Sequence, residues 1–152
     1  MARQPVRLDE GDGFPDPNRA VVGGPYDGLV AFGGDLGLER LRMAYRSGLF
    51  PWTVNPVTWW SPDPRGIIEL GSLHVSRSLR RTVRQGRYRV TRNAAFAGVI
   101  AGCATVRRPG GWIAPQFVAA YTELHRAGTA HSVECWLGDA LVGGVYGQWR
   151  SQ

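Results

Sequence analysis

Between Gly48 and Arg65 the chain runs Gly-Leu-Phe-Pro-Trp and then, after six residues, Trp-Trp-Ser-Pro-Asp-Pro-Arg. Three of the six tryptophans and four of the ten prolines fall in this stretch. Proline removes a backbone donor and fixes φ near −65°, while tryptophan brings a large flat ring whose N–H needs a partner when buried. The combination predicts neither an ordinary strand nor a helix interior. It predicts a stiff loop that presents aromatic rings, suited to hold something planar or to plug a junction between domains.

The rest of the chain sets the scale. With 152 residues, 43% hydrophobic and 20% charged, it can bury one moderate core, or one small domain and part of a second. The apolar-rich run from Ala94 to Ala104 is too short to span a bilayer, which takes about 20 residues. Met1-Ala2-Arg3-Gln4-Pro5 lacks the apolar core of a secretion signal. These features predict a cytoplasmic protein with no membrane partner. Cys103 and Cys135 have no metal-binding spacing and read as reduced, buried thiols; no metal site is expected. Gly33-Gly34 and Gly143-Gly144 do not open a helix after a strand in the dinucleotide or Walker pattern, and a glycine-rich pyrophosphate loop for coenzyme A is absent, so no cofactor is expected. His74, His125 and His131 are coupled by no signature to a Ser or Cys nucleophile. His131 and Glu134, three apart on an expected strand, do not share a face and make no dyad.

Charge is more telling. All 18 basic residues are arginine, and they are unevenly spread. Residues 1–72 carry a net charge of −2, residues 73–152 a net of +8, and no acidic residue lies between Glu69 and Glu123. A one-signed segment of that length points to a polyanion, nucleic acid before membrane.

Local signals divide the chain. Residues 1–27, rich in Gly, Pro, Asp and Arg, read as an extended arm with loops. Asp35 is expected to cap a helix that buries Leu38, Leu41, Ala44 and Tyr45 and stops at Gly48. Ile67-Ile68-Glu69-Leu70 is a strand candidate. Ser76 caps a helix to about Gln85, with Leu79 and Val83 inward and Arg77, Arg80, Arg81 and Arg84 on the opposite side at i, i+3, i+4 and i+7. Tyr88 to Thr91 reads as a strand, and Asn93 caps a helix with Phe96, Val99, Ile100 and Cys103 on one stripe. Pro115 opens another helix, with Phe117, Val118, Tyr121 and Leu124 inward and Gly128 past its end. Gly138-Asp139 between two apolar runs marks a β-hairpin. Helices among a few strands, ending in a hairpin, give an α+β class.

Taken in order, these segments resemble the leucyl/phenylalanyl-tRNA–protein transferases. The resemblance is carried by Gly28-Leu-Val-Ala-Phe-Gly-Gly-Asp-Leu36, Ala44-Tyr-Arg-Ser-Gly-Leu-Phe-Pro-Trp52, Trp59-Trp-Ser-Pro-Asp-Pro-Arg65, Leu73-His-Val-Ser-Arg-Ser-Leu-Arg-Arg81, Trp112-Ile113, Ala130-His-Ser-Val-Glu134 and Leu141-Val-Gly-Gly-Val-Tyr-Gly147. It implies a small N-terminal domain over residues 1–66 and, over 67–152, the first half of an acetyltransferase-like (GNAT-like) domain that stops before its later strands.

The implied activity moves Leu or Phe, with Met as a further donor, from charged tRNA to the N-terminal Arg or Lys of acceptor proteins, a tag for degradation. The implied partners are aminoacyl-tRNA and those acceptors, with the chain a monomer. By resemblance Trp52 and Trp112 hold the aminoacyl-adenosine end, Val145 lines the apolar side-chain pocket, and Arg77, Arg80, Arg81 and Arg84 bind the tRNA backbone. Trp59, Trp60 and Trp136 are expected in the core. The residues expected to handle the proton lie beyond Gln152, so the catalytic set is not identified within the chain and the chain alone is expected to bind tRNA without useful transfer. The alternative is a non-catalytic tRNA- or RNA-binding remnant of the same family.

Overall fold

The computed structural model describes residues 3–105 and 113–149. It has the mixed α+β architecture that the pattern of elements calls for, built from two sheets and four helices. The first sheet contains β1 (Val6–Leu8), β2 (Leu29–Gly33), β3 (Phe50–Val54) and β4 (Val57–Trp60), in the order β1-β2-β4-β3. β1 runs parallel to β2, so part of the arm joins the sheet as an edge strand. Arg40 ties the arm down further: its guanidinium donates to the carbonyls of Asp12 at 2.9 Å and Asp9 at 3.1 Å.

The Trp/Pro stretch corrects the expectation of a loop. Phe50 to Trp60 is a tight antiparallel hairpin, β3 against β4. Pro51 is tolerated because β3 is an edge strand, where a missing donor costs no ladder bond. Pro51 pairs with Trp59 and Thr53 with Thr58, which leaves Trp52 as the extra residue of a bulge. On β4 the period-two alternation sends Trp59 into the core, fully buried, with its indole N–H donating to the Gly33 carbonyl at 3.0 Å. Trp60 faces the other way and is half-buried, as is Trp136 later in the chain.

Helix α1 (Leu38–Arg46) packs Leu41 and Ala44 inward and ends at Gly48, whose φ of 77° suits the left-handed stop. Its N-cap is Gly37, not Asp35. Asp35 sits two residues earlier, where its carboxylate accepts from the Gly37 amide at 2.6 Å and pairs with Arg40 at 3.2 Å.

The second sheet, β5 (Arg89–Arg92), β6 (Ala130–Leu137) and β7 (Ala140–Gln148), is antiparallel throughout, with Gly138-Asp139 as the β6–β7 turn. Two helices, α3 (Phe96–Thr105) and α4 (Pro115–Arg126), lie against it. The alternating Ala130, Ser132 and Glu134 of β6 are all buried. One buried cluster joins Leu41, Ala44, Leu49 and Trp59 to Phe96, Ile100, Phe117, Tyr121 and Leu124. The hydroxyls of Tyr45 on α1 and Tyr121 on α4 meet across this junction, and burial raises the pKa of both phenols.

Between the two sheets the sequence expectation fails in two places. Ile67, Ile68 and Leu70 form no strand and are 76, 73 and 89% exposed, with only a single 3₁₀ turn at Leu70–Ser72. β-propensity describes fit to a sheet surface, and among the described residues no strand pairs with these to supply one. Helix α2 (Arg77–Arg84) forms where expected but buries no residue: Leu79 and Val83 are 50 and 69% exposed instead of facing inward.

Candidate nucleic-acid interface

Helix α2 owes its position to local chemistry. The Ser76 hydroxyl accepts from the Leu79 amide at 3.2 Å, and Gly86 with φ 61° follows the helix end. Within those limits the 3.6-residue repeat lines up Arg77, Arg80, Arg81 and Arg84, which with Gln85 border a surface recess of about 460 Å³. Among the described residues the ion pairs engage Arg7, Arg40, Arg42 and Arg126, and none reaches α2. Four guanidinium groups thus share one exposed face with no carboxylate to neutralise them. Arginine presents a planar fork of donors that matches phosphate oxygens, so this face has the chemistry to meet an anion.

A second feature is aromatic. Trp52, 46% exposed, is neighboured by Phe50 at a centroid distance of 5.9 Å and Trp60 at 5.7 Å. Arg65 closes one side: its guanidinium lies 5.6 Å from the Phe50 centroid while donating to the Gly48 carbonyl at 2.7 Å. The bulge at Trp52 explains its exposure, since an unpaired residue on an edge strand is turned away from the ladder. Trp112, expected beside it in function, lies outside the described residues. Val145 is on β7, opposite Val133 in register, and both are exposed, at 63 and 43%. It belongs to the face of the second sheet away from the buried Ser132 and Glu134, so it is not a core residue.

Sequence reasoning missed the most elaborate polar arrangement, at Glu134. This side chain is fully buried. One carboxylate oxygen accepts from the Ser132 hydroxyl at 2.5 Å and the Ala95 amide at 3.4 Å; the other accepts from the Thr91 hydroxyl at 2.5 Å and the Ala94 amide at 3.3 Å. Burial pushes its pKa up, but the bonds from Ser132 and Thr91, then the two amides, outweigh that and leave it at about 2. Glu134 therefore does the capping expected of Asn93. Asn93 instead takes φ 58° and turns its side chain onto β6, accepting from the Ser132 amide at 3.0 Å and contacting His131 Nδ1 at 3.0 Å. His131 and Glu134 take different partners, as their spacing implies. The legible signal was the i, i+2 pair of Ser132 and Glu134 on an otherwise apolar buried face.

Among the described residues no group of three His, Cys, Asp or Glu side chains is placed to hold a metal ion, and no helix is long and apolar enough to cross a membrane.

Comparison with known proteins gives the context for these surfaces. The family model described as leucyl/phenylalanyl-tRNA protein transferase matches residues 67–151, and that of the transferase N-terminal domain matches residues 34–63. A leucyl/phenylalanyl-tRNA–protein transferase of Anaeromyxobacter sp. (strain Fw109-5) is 53% identical over 146 residues, covering 93% of this chain and 60% of the relative. That of Pectobacterium atrosepticum is 48% identical over 136 residues, covering 88% of this chain and 57% of the relative. That of Nitratidesulfovibrio vulgaris (strain DP4) is 52% identical over 139 residues, with coverage of 88% and 58%. The chain spans about 60% of the length of the first of these relatives. With one family model matching more than half of the residues and the N-terminal model matching upstream of it, the chain belongs to the leucyl/phenylalanyl-tRNA–protein transferase family.

Proposed function

We propose that this chain takes part in aminoacyl transfer from charged tRNA to the N-terminus of an acceptor protein, with Leu or Phe as the transferred residue and an N-terminal Arg or Lys as acceptor. The observation that carries it is the unneutralised arginine face of α2 in a member of this family. Contacts to phosphate position a nucleic acid without reading its sequence, which suits a protein that accepts tRNAs charged with more than one amino acid. On this reading Arg77, Arg80, Arg81 and Arg84 hold the tRNA backbone. Trp52, on its bulge, offers a stacking surface to the terminal adenosine, with Trp112 as the second ring. Val145, on the outer face of β7, forms one apolar wall for the transferred side chain. The division into a domain over 1–66 and a transferase portion over 67–152 belongs to the same reading.

The chemistry asks little of the protein beyond placement. The aminoacyl ester is already activated: the acceptor's α-amine attacks the ester carbonyl, the C–N bond forms, the C–O bond to the ribose breaks, and the proton the amine gives up ends on the freed ribose hydroxyl. Orienting two reactants in this way is worth about 7–11 kcal/mol of barrier in favourable cases.

The test is tRNA binding by the intact chain across a salt series. Replacing Arg80 and Arg84 by Ala removes two phosphate contacts, so the slope of log K against log salt should fall by about two, to a similar extent for leucine and phenylalanine tRNAs. An unchanged slope overturns the assignment of this face. Release of labelled leucine from charged tRNA onto a peptide beginning with Arg tests the reaction itself.

A further inference from the structure

Two charged side chains are buried among the described residues, Arg40 and Glu134. Arg40 meets Asp35, whereas among the described residues no cation lies within ion-pair distance of Glu134. A buried carboxylate without a counter-charge is costly unless its oxygens are saturated with donors. Here each oxygen receives one hydroxyl and one amide: Ser132 and Ala95 on one, Thr91 and Ala94 on the other. All four donors are neutral.

The amides of Ala94 and Ala95 are unsatisfied by helical bonding because they precede α3, so the carboxylate sits at the positive end of that helix. Thr91 comes from β5, and its hydroxyl oxygen also accepts from the Trp136 indole at 2.8 Å. One side chain thus ties β5, β6 and the start of α3 together.

The same layer continues into β7. Glu134 pairs in register with Gly144. A Cβ at Gly144 would stand 2.7 Å from Val99 Cγ2, so the first turn of α3 rests directly on the β7 backbone there. At Gly98 the Leu141 side chain of β7 would stand 3.1 Å from an added Cβ. The seat of α3 therefore sets how β7 lies, and the next residue of β7, on its opposite face, is Val145.

We propose that Glu134 is a positioning residue of the transfer site: by holding the start of α3 against β5 and β6 it fixes the seat of Val99 on Gly144, and so the plane of β7 that presents Val145 to the transferred side chain. The second half of this assignment rests on the aminoacyl-transfer reading; the first half does not. The role needs a carboxylate and not merely a polar group of that size. A carboxamide turns an NH₂ toward one hydroxyl and one backbone amide; the hydroxyl can reverse to accept but the amide cannot, so Glu134→Gln keeps the shape and breaks a bond to the start of α3.

Two measurements on the intact chain separate the halves. Amide exchange of Glu134→Gln should show protection of Ala94, Ala95 and Val99 falling tenfold or more while Val118 on α4 keeps its protection. Binding of leucyl- and phenylalanyl-adenosine analogues should change unequally, shifting the leucine-to-phenylalanine preference by at least fivefold, while uncharged tRNA binds as before. Unchanged exchange overturns the clamp. Lost protection with an unchanged preference reduces Glu134 to a purely structural role and overturns the proposal. Absence of analogue binding in the unaltered chain overturns the transfer-site reading, and the exchange result still decides the clamp. Should Glu134→Gln fail to fold, Thr91→Val and Ser132→Ala each remove one bond and should produce graded forms of the same two effects.

Discussion

Single residues in this chain take opposite fates from nearly the same sequence setting. Trp52 and Trp59 lie seven apart in one aromatic stretch, yet one is 46% exposed and the other fully buried. The alternation of β4 and the bulge of β3 decide which is which. Trp52→Ala should therefore weaken an aminoacyl-adenosine analogue by about 1–3 kcal/mol and leave the melting temperature nearly unchanged. Trp59→Ala should cost about 3–5 kcal/mol of stability, measured by denaturant titration. The reverse pattern would return Trp52 to packing. The core role of Trp59 was legible from its residue type. The bulge was not, because a register shift depends on the partner strand and leaves no mark in the residue order. Glu134 was hidden for a related reason: its partners Thr91, Ala94 and Ala95 are about forty positions away.

At the scale of elements, what the sequence made legible were the features whose cause is local. Ser76 and Gly86 bound α2, Gly48 stops α1, Pro115 opens α4, and Gly138-Asp139 turns the final hairpin. Where the cause was tertiary the expectation failed. Pro51 read as a strand breaker because nothing in the residue order marks β3 as an edge, and Ile67 to Leu70 read as a strand although no neighbour receives it. The same lesson applies to the apolar side of α2. A Leu and a Val at helical spacing ordinarily mean burial, but Leu79 and Val83 remain exposed. Replacing both with Ser should change the stability of this chain by less than about 0.5 kcal/mol per site. A loss several times larger would show that α2 is docked through these residues.

Across the whole molecule, the core passes without interruption from the first sheet through α1 and α4 to the second. Leu41→Ala and Phe117→Ala, one on each side of that junction, should therefore lower the midpoint of a single shared unfolding transition; two separated transitions would contradict a common core. Acid should act on this one transition as well. Glu134 titrates at about 2 when folded against 4.5 ordinarily, so below pH 4.5 the unfolded chain takes up a proton that the folded one refuses. The stabilisation it gives is complete above that range and is lost as pH falls through about 2. Glu134→Gln should flatten this part of the acid limb, and an unchanged pH profile would remove Glu134 from it. Arg40 has a consequence of a different kind. The lysine-free chain offers trypsin only arginines, all but Arg108 (which precedes Pro109) marking a site, and the fold ranks them. Arg40 is 6% exposed and strapped across the arm, while the four arginines of α2 stand open on a helix that buries nothing. Digestion should therefore reach the arginines of α2 long before Arg40, and on the proposed reading a bound polyanion shields them.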